Sequence, residues 1–257
     1  MTARLLKSRF LLRILFVLLL FASIIFVTAA TFRLQSYFFT RKVQSVLSRM
    51  GQIQLDKTSQ AEVAALLPEL KPGTQPNFSV SGEPDVQCPG EACYALRIDN
   101  WTSGIIASLQ AKLGYRFHWL PEAIYWLGHR FLLFAPYVEI RGGTVSRYEY
   151  SLWVENKEFH ASNIVVVEVL GADHAGFPKY FGFMSNDEVT GGFRIRVASN
   201  KQTTSMFVAF TPDAKPEDVK NAFDVHLDCV WNAQGCWATK QLLPALWKTK
   251  MEPKNRK

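Results

Sequence analysis

One stretch constrains this chain more than any other: Ile14 to Phe32, ILFVLLLFASIIFVTAATF, carries no charge. Only Ser23, Thr28 and Thr31 interrupt its apolar character. At the rise of an α-helix the run covers roughly 28 Å. That matches the ~30 Å hydrocarbon core of a bilayer, and Leu11 and Leu12 can extend it past Arg13. A helix buried in a water-soluble protein keeps a polar stripe, whereas this one is apolar all round. The run therefore reads as a membrane-inserted helix. Two fates stay open. It is a retained anchor, or it is a signal peptide cut at Val27-Thr28-Ala29 or Thr28-Ala29-Ala30. A signal-peptide apolar region runs about 7–15 residues, so the length favours the anchor.

Flanking charge does not orient the helix. Arg4, Lys7, Arg9 and Arg13 precede it, and Arg33, Arg41, Lys42 and Arg49 follow it, a draw that the amino terminus tips only slightly. The formal net charge of +7 also misleads at first sight. The excess sits beside the apolar run and in the last ten residues, at Lys248, Lys250, Lys254, Arg256 and Lys257. Between residues 34 and 247, 19 basic residues face 21 acidic ones. A near-neutral body argues against a nucleic-acid groove, so no nucleic-acid partner is expected. With 48% hydrophobic and 13% aromatic residues, the chain is neither disordered nor collagen-like.

The cysteines break the tie. All four lie beyond the span in two local pairs, Cys88 with Cys93 and Cys229 with Cys236. Close pairs of even number suit disulfides in an oxidising compartment. Pro89-Gly90 supplies the turn that the first bridge needs. A four-thiolate zinc site is the alternative, but its pairs are usually spaced C-x2-C or C-x4-C, and only the first fits. Free structural thiols are the third reading. Disulfides place the body outside the cytoplasm and the amino terminus inside.

The expected layout is a cytoplasmic tail at 1–13, a transmembrane helix at 14–32, a juxtamembrane helix or stalk at 33–50, an extracytoplasmic α+β domain at 51–247 and a basic tail at 248–257. Phe38, Phe39, Val43, Val46 and Leu47 recur at helical spacing, so the span continues as a stalk. Ser59 with Glu62 is a capping box that opens a helix with a Val63, Leu66, Leu67 stripe, ended by Pro68. Residues 71–84 read as a loop. Tyr94 to Asn100 alternates as a strand, with Tyr94, Leu96 and Ile98 on the core side. Tyr137–Val154 reads as a hairpin around Gly142-Gly143, where a two-residue turn needs positive φ. Ile164–Leu170 is another strand. Gly192–Ala198 and Thr204–Phe210 form a second hairpin, with Arg194 and Arg196 on its wet face. Pro216 begins a helix whose stripe is Val219, Ala222, Phe223 and Leu227. Gln241–Trp247 is a short final helix. The fold class is α+β: a mostly antiparallel sheet with flanking helices, preceded by the transmembrane helix.

The helix that begins Thr58-Ser-Gln-Ala-Glu-Val resembles the start of small bacterial envelope modules. The order of anchor, helix, cysteine pair and Ile98-Asp-Asn-Trp101 is similar to uncharacterised single-pass bacterial envelope proteins. The likeness covers roughly residues 51–101 and implies no activity.

Chemistry is sparse. There is no G-x-S-x-G elbow, phosphate loop or H-E-x-x-H. Asp173-His174, between glycines, is the most site-like pair and the only candidate for catalysis by a hydrolase. Adjacency alone does not give a base its nucleophile. No cofactor or metal is expected; a site joining His160 to this loop has only generic spacing. Leu109–Pro136 is rich in aromatics and broken by Pro121 and Gly128. It reads as a core segment, or as a surface docked at a membrane interface through Trp119, Tyr125 and Trp126. His118 and His129 within it read as core or interfacial residues, and His226 as half-buried. Asn77 and Asn100 match the glycosylation sequon, though plain turn asparagines explain both. The expected function is a membrane-anchored extracytoplasmic interaction or structural module in the cytoplasmic membrane of an enveloped cell. Its partners would be the bilayer, through residues 14–32, and another envelope protein. The alternatives are a lipid- or apolar-ligand-binding domain using residues 117–134, and the hydrolase.

Overall fold

A computed structural model of the 257-residue chain describes residues 2–72, 88, 90–100, 102, 112, 119–156, 163–174, 192–199, 203–230 and 235–252. Helix α1 runs unbroken from Thr2 to Met50, 49 residues without a glycine or proline. Its large apolar side chains from Leu11 to Val27 are 41–74% exposed on all sides. From Phe39 onward the pattern changes. Phe39, Val43, Val46, Leu47 and Met50 are buried on one face, while Arg41, Lys42, Ser45 and Ser48 stay out. That i, i+4, i+7 spacing is the signature of a helix seated on a core. The stalk expected over 33–50 is thus helical, and its last three turns belong to the domain.

Among the described residues eight strands form one sheet, ordered β1-β2-β4-β5-β6-β8-β7 with β3 beside β4. Their ranges are β1 Lys71–Pro72, β2 Ala92–Ala95, β3 Ile98–Asp99, β4 Leu132–Arg141, β5 Thr144–Asn156, β6 Asn163–Ala172, β7 Phe193–Ser199 and β8 Thr203–Phe210. All pairings are antiparallel except β6 with β8. The first hairpin turns at Gly142 and Gly143, whose φ values of +60° and +76° suit a type I′ turn. The β7–β8 pairing matches the second expected hairpin; its turn lies outside the described residues. So does the predicted 71–84 loop beyond β1.

Strand β4 starts five residues earlier than the sequence suggested and carries Pro136 in a central position. A proline normally breaks a ladder there. Here the Pro136 carbonyl accepts the Leu96 N–H (3.1 Å) between the end of β2 and the start of β3. A residue's N and O point the same way in a strand. The proline nitrogen therefore faces Leu96 and cannot return the reciprocal bond, and it is at this missing bond that the partner of β4 divides into β2 and β3.

One face of the sheet carries the core. Helix α2, Gln60–Leu66, has the predicted capping box: the Ser59 N–H donates to Glu62 Oε2 (2.7 Å) and the Glu62 N–H to Ser59 Oγ (3.3 Å). These bonds hold the Glu62 carboxyl below its usual range. Arg49, in the last turn of α1, donates to both Glu69 oxygens (2.8 and 3.0 Å) and to the Leu66 carbonyl, fixing the α2 exit against α1. Helix α4, Pro216–Phe223, brings Phe223 to stack on Tyr148 at 5.6 Å. Helix α3, Trp119–Trp126, lies between β3 and β4 in the chain. Two buried tyrosine hydroxyls reach helix ends: Tyr150 donates to the Ala222 carbonyl (2.6 Å) and Tyr148 to that of Ile53 (3.1 Å). The final helix is broken into α5, Thr239–Leu242, and α6, Pro244–Leu246, because Pro244 cannot continue the α5 ladder. Lys250 donates to Asp218 (2.7 Å), so the basic tail begins docked on α4. Sulfur atoms of Cys88 and Cys93 lie 2.00 Å apart, and those of Cys229 and Cys236 1.99 Å, as two disulfides.

Candidate functional site

The richest polar cluster lies where the exposed part of α1 gives way to the domain. Helix α3, Trp119–Trp126, and the turn after it close on this point. Gly128 has φ +97°, and a Cβ there would come 3.2 Å from Arg33 Cγ, so a side chain would be both strained and crowded. The Phe32 ring meets the His129 imidazole edge-on at 5.2 Å. Thr102 donates to Gln35 Oε1 (2.9 Å). Asn100 joins the cluster to the sheet. Its Oδ1 accepts the Leu132 N–H (3.3 Å), and its Nδ2 donates to the Arg130 carbonyl and lies 3.4 Å from His129 Nε2. The Asn100 amide is buried and with these bonds ties the turn after α3 to the start of β4. Asn77 lies outside the described residues.

Arg130 is also buried. Its Nη1 donates to the Tyr125 carbonyl (2.6 Å) and to its neighbour's at His129 (2.8 Å), and its guanidinium carbon sits 3.5 Å from the Tyr125 ring centre. Glu155 accepts the Phe131 N–H (2.8 Å). Burial dominates the electrostatics. It depresses the His129 pKa to about 4, helped by the Arg130 charge, so the imidazole is neutral at pH 7. It raises the Tyr125 and Glu155 values for the same reason.

Beside this cluster runs a cleft of about 360 Å³ between α1 and β3. Leu34, Phe38 and Phe39 from α1 and Ile98 from β3 give it an apolar wall. Thr31, Gln35, Lys42, Asp99 and Asn100 are its polar groups. Gln35 Nε2 is buried and finds no acceptor among the described residues, although Thr102 holds its Oε1 in place. Asp99 is partnered by Arg97 at 3.0 Å.

A second polar region lies on the sheet face opposite the core. Arg141 pairs with Glu139 (2.8 Å), and Arg147 with Glu149 (2.5 Å). The β5–β6 register places Ser151 against Glu168, and Ser151 Oγ donates to Glu168 Oε1 (3.4 Å). Burial, reinforced by the nearby Glu149 charge, pushes Glu168 up to about 7. Sequence reasoning missed this pair. Alternation in β5 shows that Glu149 and Ser151 share a face, but only the register brings Glu168 across to them.

The two members of the proposed catalytic dyad turn apart. His174 Nε2 meets Asp213 at 3.0 Å with both side chains exposed, and Asp173 faces Arg141 at 3.8 Å. Neither contact includes a hydroxyl or thiol. Among the described residues no three His, Cys, Asp or Glu side chains converge to hold a metal ion; His118 and His160 lie outside them. His226 is exposed and faces Asp224 (3.6 Å), not half-buried as expected. Of the expected interfacial residues, Trp126 is exposed and Tyr125 is buried under Arg130. Trp119 opens α3, and its side chain is outside the described set. The end of the 117–134 segment, Leu132 to Phe134, is fully buried in β4.

No protein-family model matches the chain, and neither a characterised protein nor a solved structure does so at a significant level. The resemblance over residues 51–101 therefore assigns no family.

Proposed function

We propose that this is a single-pass membrane protein whose α+β domain sits on the extracytoplasmic side as an interaction module. The observation that carries the reading is the change of surface along α1. Apolar side chains face outward all round from Leu11 to Val27, and only inward from Phe39 to Met50. The first pattern suits lipid and the second suits a protein core. The two disulfides support an oxidising compartment for the domain. Retention of the helix, rather than cleavage, is favoured by its continuity. Thr28 and Thr31 donate to the Ile24 and Val27 carbonyls (2.8 Å each) inside a regular helix, where a protease would need extended backbone.

Topology reporters fused to the carboxyl end of the full chain test the reading, together with alkaline extraction of membranes. The proposal expects an oxidation-dependent reporter to be active, a cytoplasm-dependent one to be dark, and the full-length chain to stay in the pellet. A soluble full-length chain or a bright cytoplasmic reporter would overturn it. The interaction role is tested by cross-linking in the intact envelope. Absence of any cross-linked partner, alongside a measurable turnover, would replace the module with an enzyme.

A further inference from the structure

We infer that the cleft between α1 and β3 holds one phospholipid of the surrounding leaflet, with a zwitterionic headgroup lying between Lys42 and Asp99. The inference rests on the proposed membrane placement of α1 and adds a specific ligand to it.

Three observations converge. The cleft continues the exposed apolar surface of α1: Leu34 and Phe38 lie on the same stripe of the helix as Gln35 and Lys42, and Ile98 faces them from β3. An acyl chain lying against the span therefore enters the cleft without leaving apolar surface. Gln35 then offers a donor at the right level. Its Oε1 is engaged by Thr102, so its orientation is fixed, and its buried Nε2 has no acceptor among the described residues. A buried donor without a partner is destabilising. A lipid ester carbonyl, which lies at the boundary of the hydrocarbon, relieves that cost.

Spacing along the helix completes the match. Lys42 is seven residues past Gln35, about 10 Å along the axis. Helical side chains lean towards the amino terminus, so the lysine ammonium swings back towards the ester level by several ångströms. The remaining separation fits a polar headgroup layer of roughly 5–8 Å. A phosphate at Lys42 leaves a lipid ammonium free to share Asp99, whose carboxylate is exposed and pairs only at the surface with Arg97. One cation and one carboxylate across an apolar cleft complement a head that carries both charges.

The full-length chain, purified in mild detergent with phosphatidylethanolamine or phosphatidylglycerol added in equal amounts, is weighed by native mass spectrometry. The expected result is one phospholipid adduct that survives detergent exchange, with phosphatidylethanolamine retained at least threefold over phosphatidylglycerol. Lys42→Ala should reduce the adduct severalfold. Asp99→Asn should keep an adduct but erase the preference. Lys57→Ala, at an exposed position beyond α1, should match the parent. No adduct on the parent, equal retention of both lipids, or an undiminished adduct on Lys42→Ala would overturn the inference. Alkaline extraction of the same preparations separates the two failures: a chain that pellets with membranes but carries no lipid loses only the cleft assignment, whereas a chain that is extracted loses the anchor itself.

Discussion

Between Leu11 and Val27, α1 turns large apolar side chains outward on every side; between Phe39 and Met50 it turns them one way only. Both stretches are helical and rich in Leu, Val and Phe. What separates them is the polar set. Arg41, Lys42, Ser45, Ser48 and Arg49 interrupt the second half at the positions that face away from the sheet. Between Ile14 and Phe32 the first half has no charged residue, and only Ser23, Thr28 and Thr31 are polar. The comparison shows that hydrophobic content alone does not distinguish lipid from a protein core. The placement of the few polar residues does.

The largest break in that contrast should come from charge in the first half. Leu18→Arg combined with Phe21→Arg places two cations near the middle of the proposed span, at about 3 kcal/mol each. Membrane pelleting of the full chain should collapse, while the domain stays folded. Next comes a matched pair of truncations. Leu47→Ala leaves a cavity in the core and should cost about 3 kcal/mol of domain stability in urea unfolding, read in mild detergent. Leu20→Ala changes an exposed position, and the same measurement should move by less than about 0.5 kcal/mol.

Protons sharpen the comparison further, because residues 14–32 carry nothing that titrates. In the domain, His129 and Glu168 titrate with opposite sign, and Glu155, also raised by burial, adds to the direction of Glu168. His129 is held near pKa 4 in the fold against 6.5 when unfolded, so stability falls as pH drops through that window. Glu168 is raised to about 7 against 4.5, so stability falls as pH rises through its own window. Each shift corresponds to up to about 3 kcal/mol. The slope of the parent's stability between pH 4.5 and 6.5 should therefore lie between those of variants that remove one of the two groups. Glu168→Gln should uncover a slope that rises with pH, and His129→Gln one that falls. Parallel slopes in both variants would refute the assignment. The smallest effect is expected from Ser59→Ala, which removes the α2 cap beside the core half of α1 and should cost about 1 kcal/mol.

Local chemistry was legible where a residue type has one conformational use. The uncharged run predicted α1, Ser59 with Glu62 predicted the α2 cap, Gly142-Gly143 the first turn, and Pro216 the start of α4. Long-range choices were not legible. The parallel pairing of β6 with β8 has no local signature, because each strand alternates in the same way whichever neighbour it takes. Pro136 hid the start of β4, since its cost is a single bond missing opposite Leu96, with the register kept on both sides. The cluster around Asn100 and His129 was opaque for a similar reason: its members come from β3, the α3 turn and α1, far apart in the chain. Asp173 and His174 show the converse. Neighbours in sequence, they are directed by β-sheet geometry to different partners.

A helix with neither glycine nor proline from Thr2 to Met50, whose last turns are locked into the sheet, has no joint. If the rod spans a bilayer as proposed, any lean within the leaflet would swing the whole sheet through the same angle. Bilayer thickness would then set the pitch at which this domain meets its neighbours, as a mast fixes the angle of its sail.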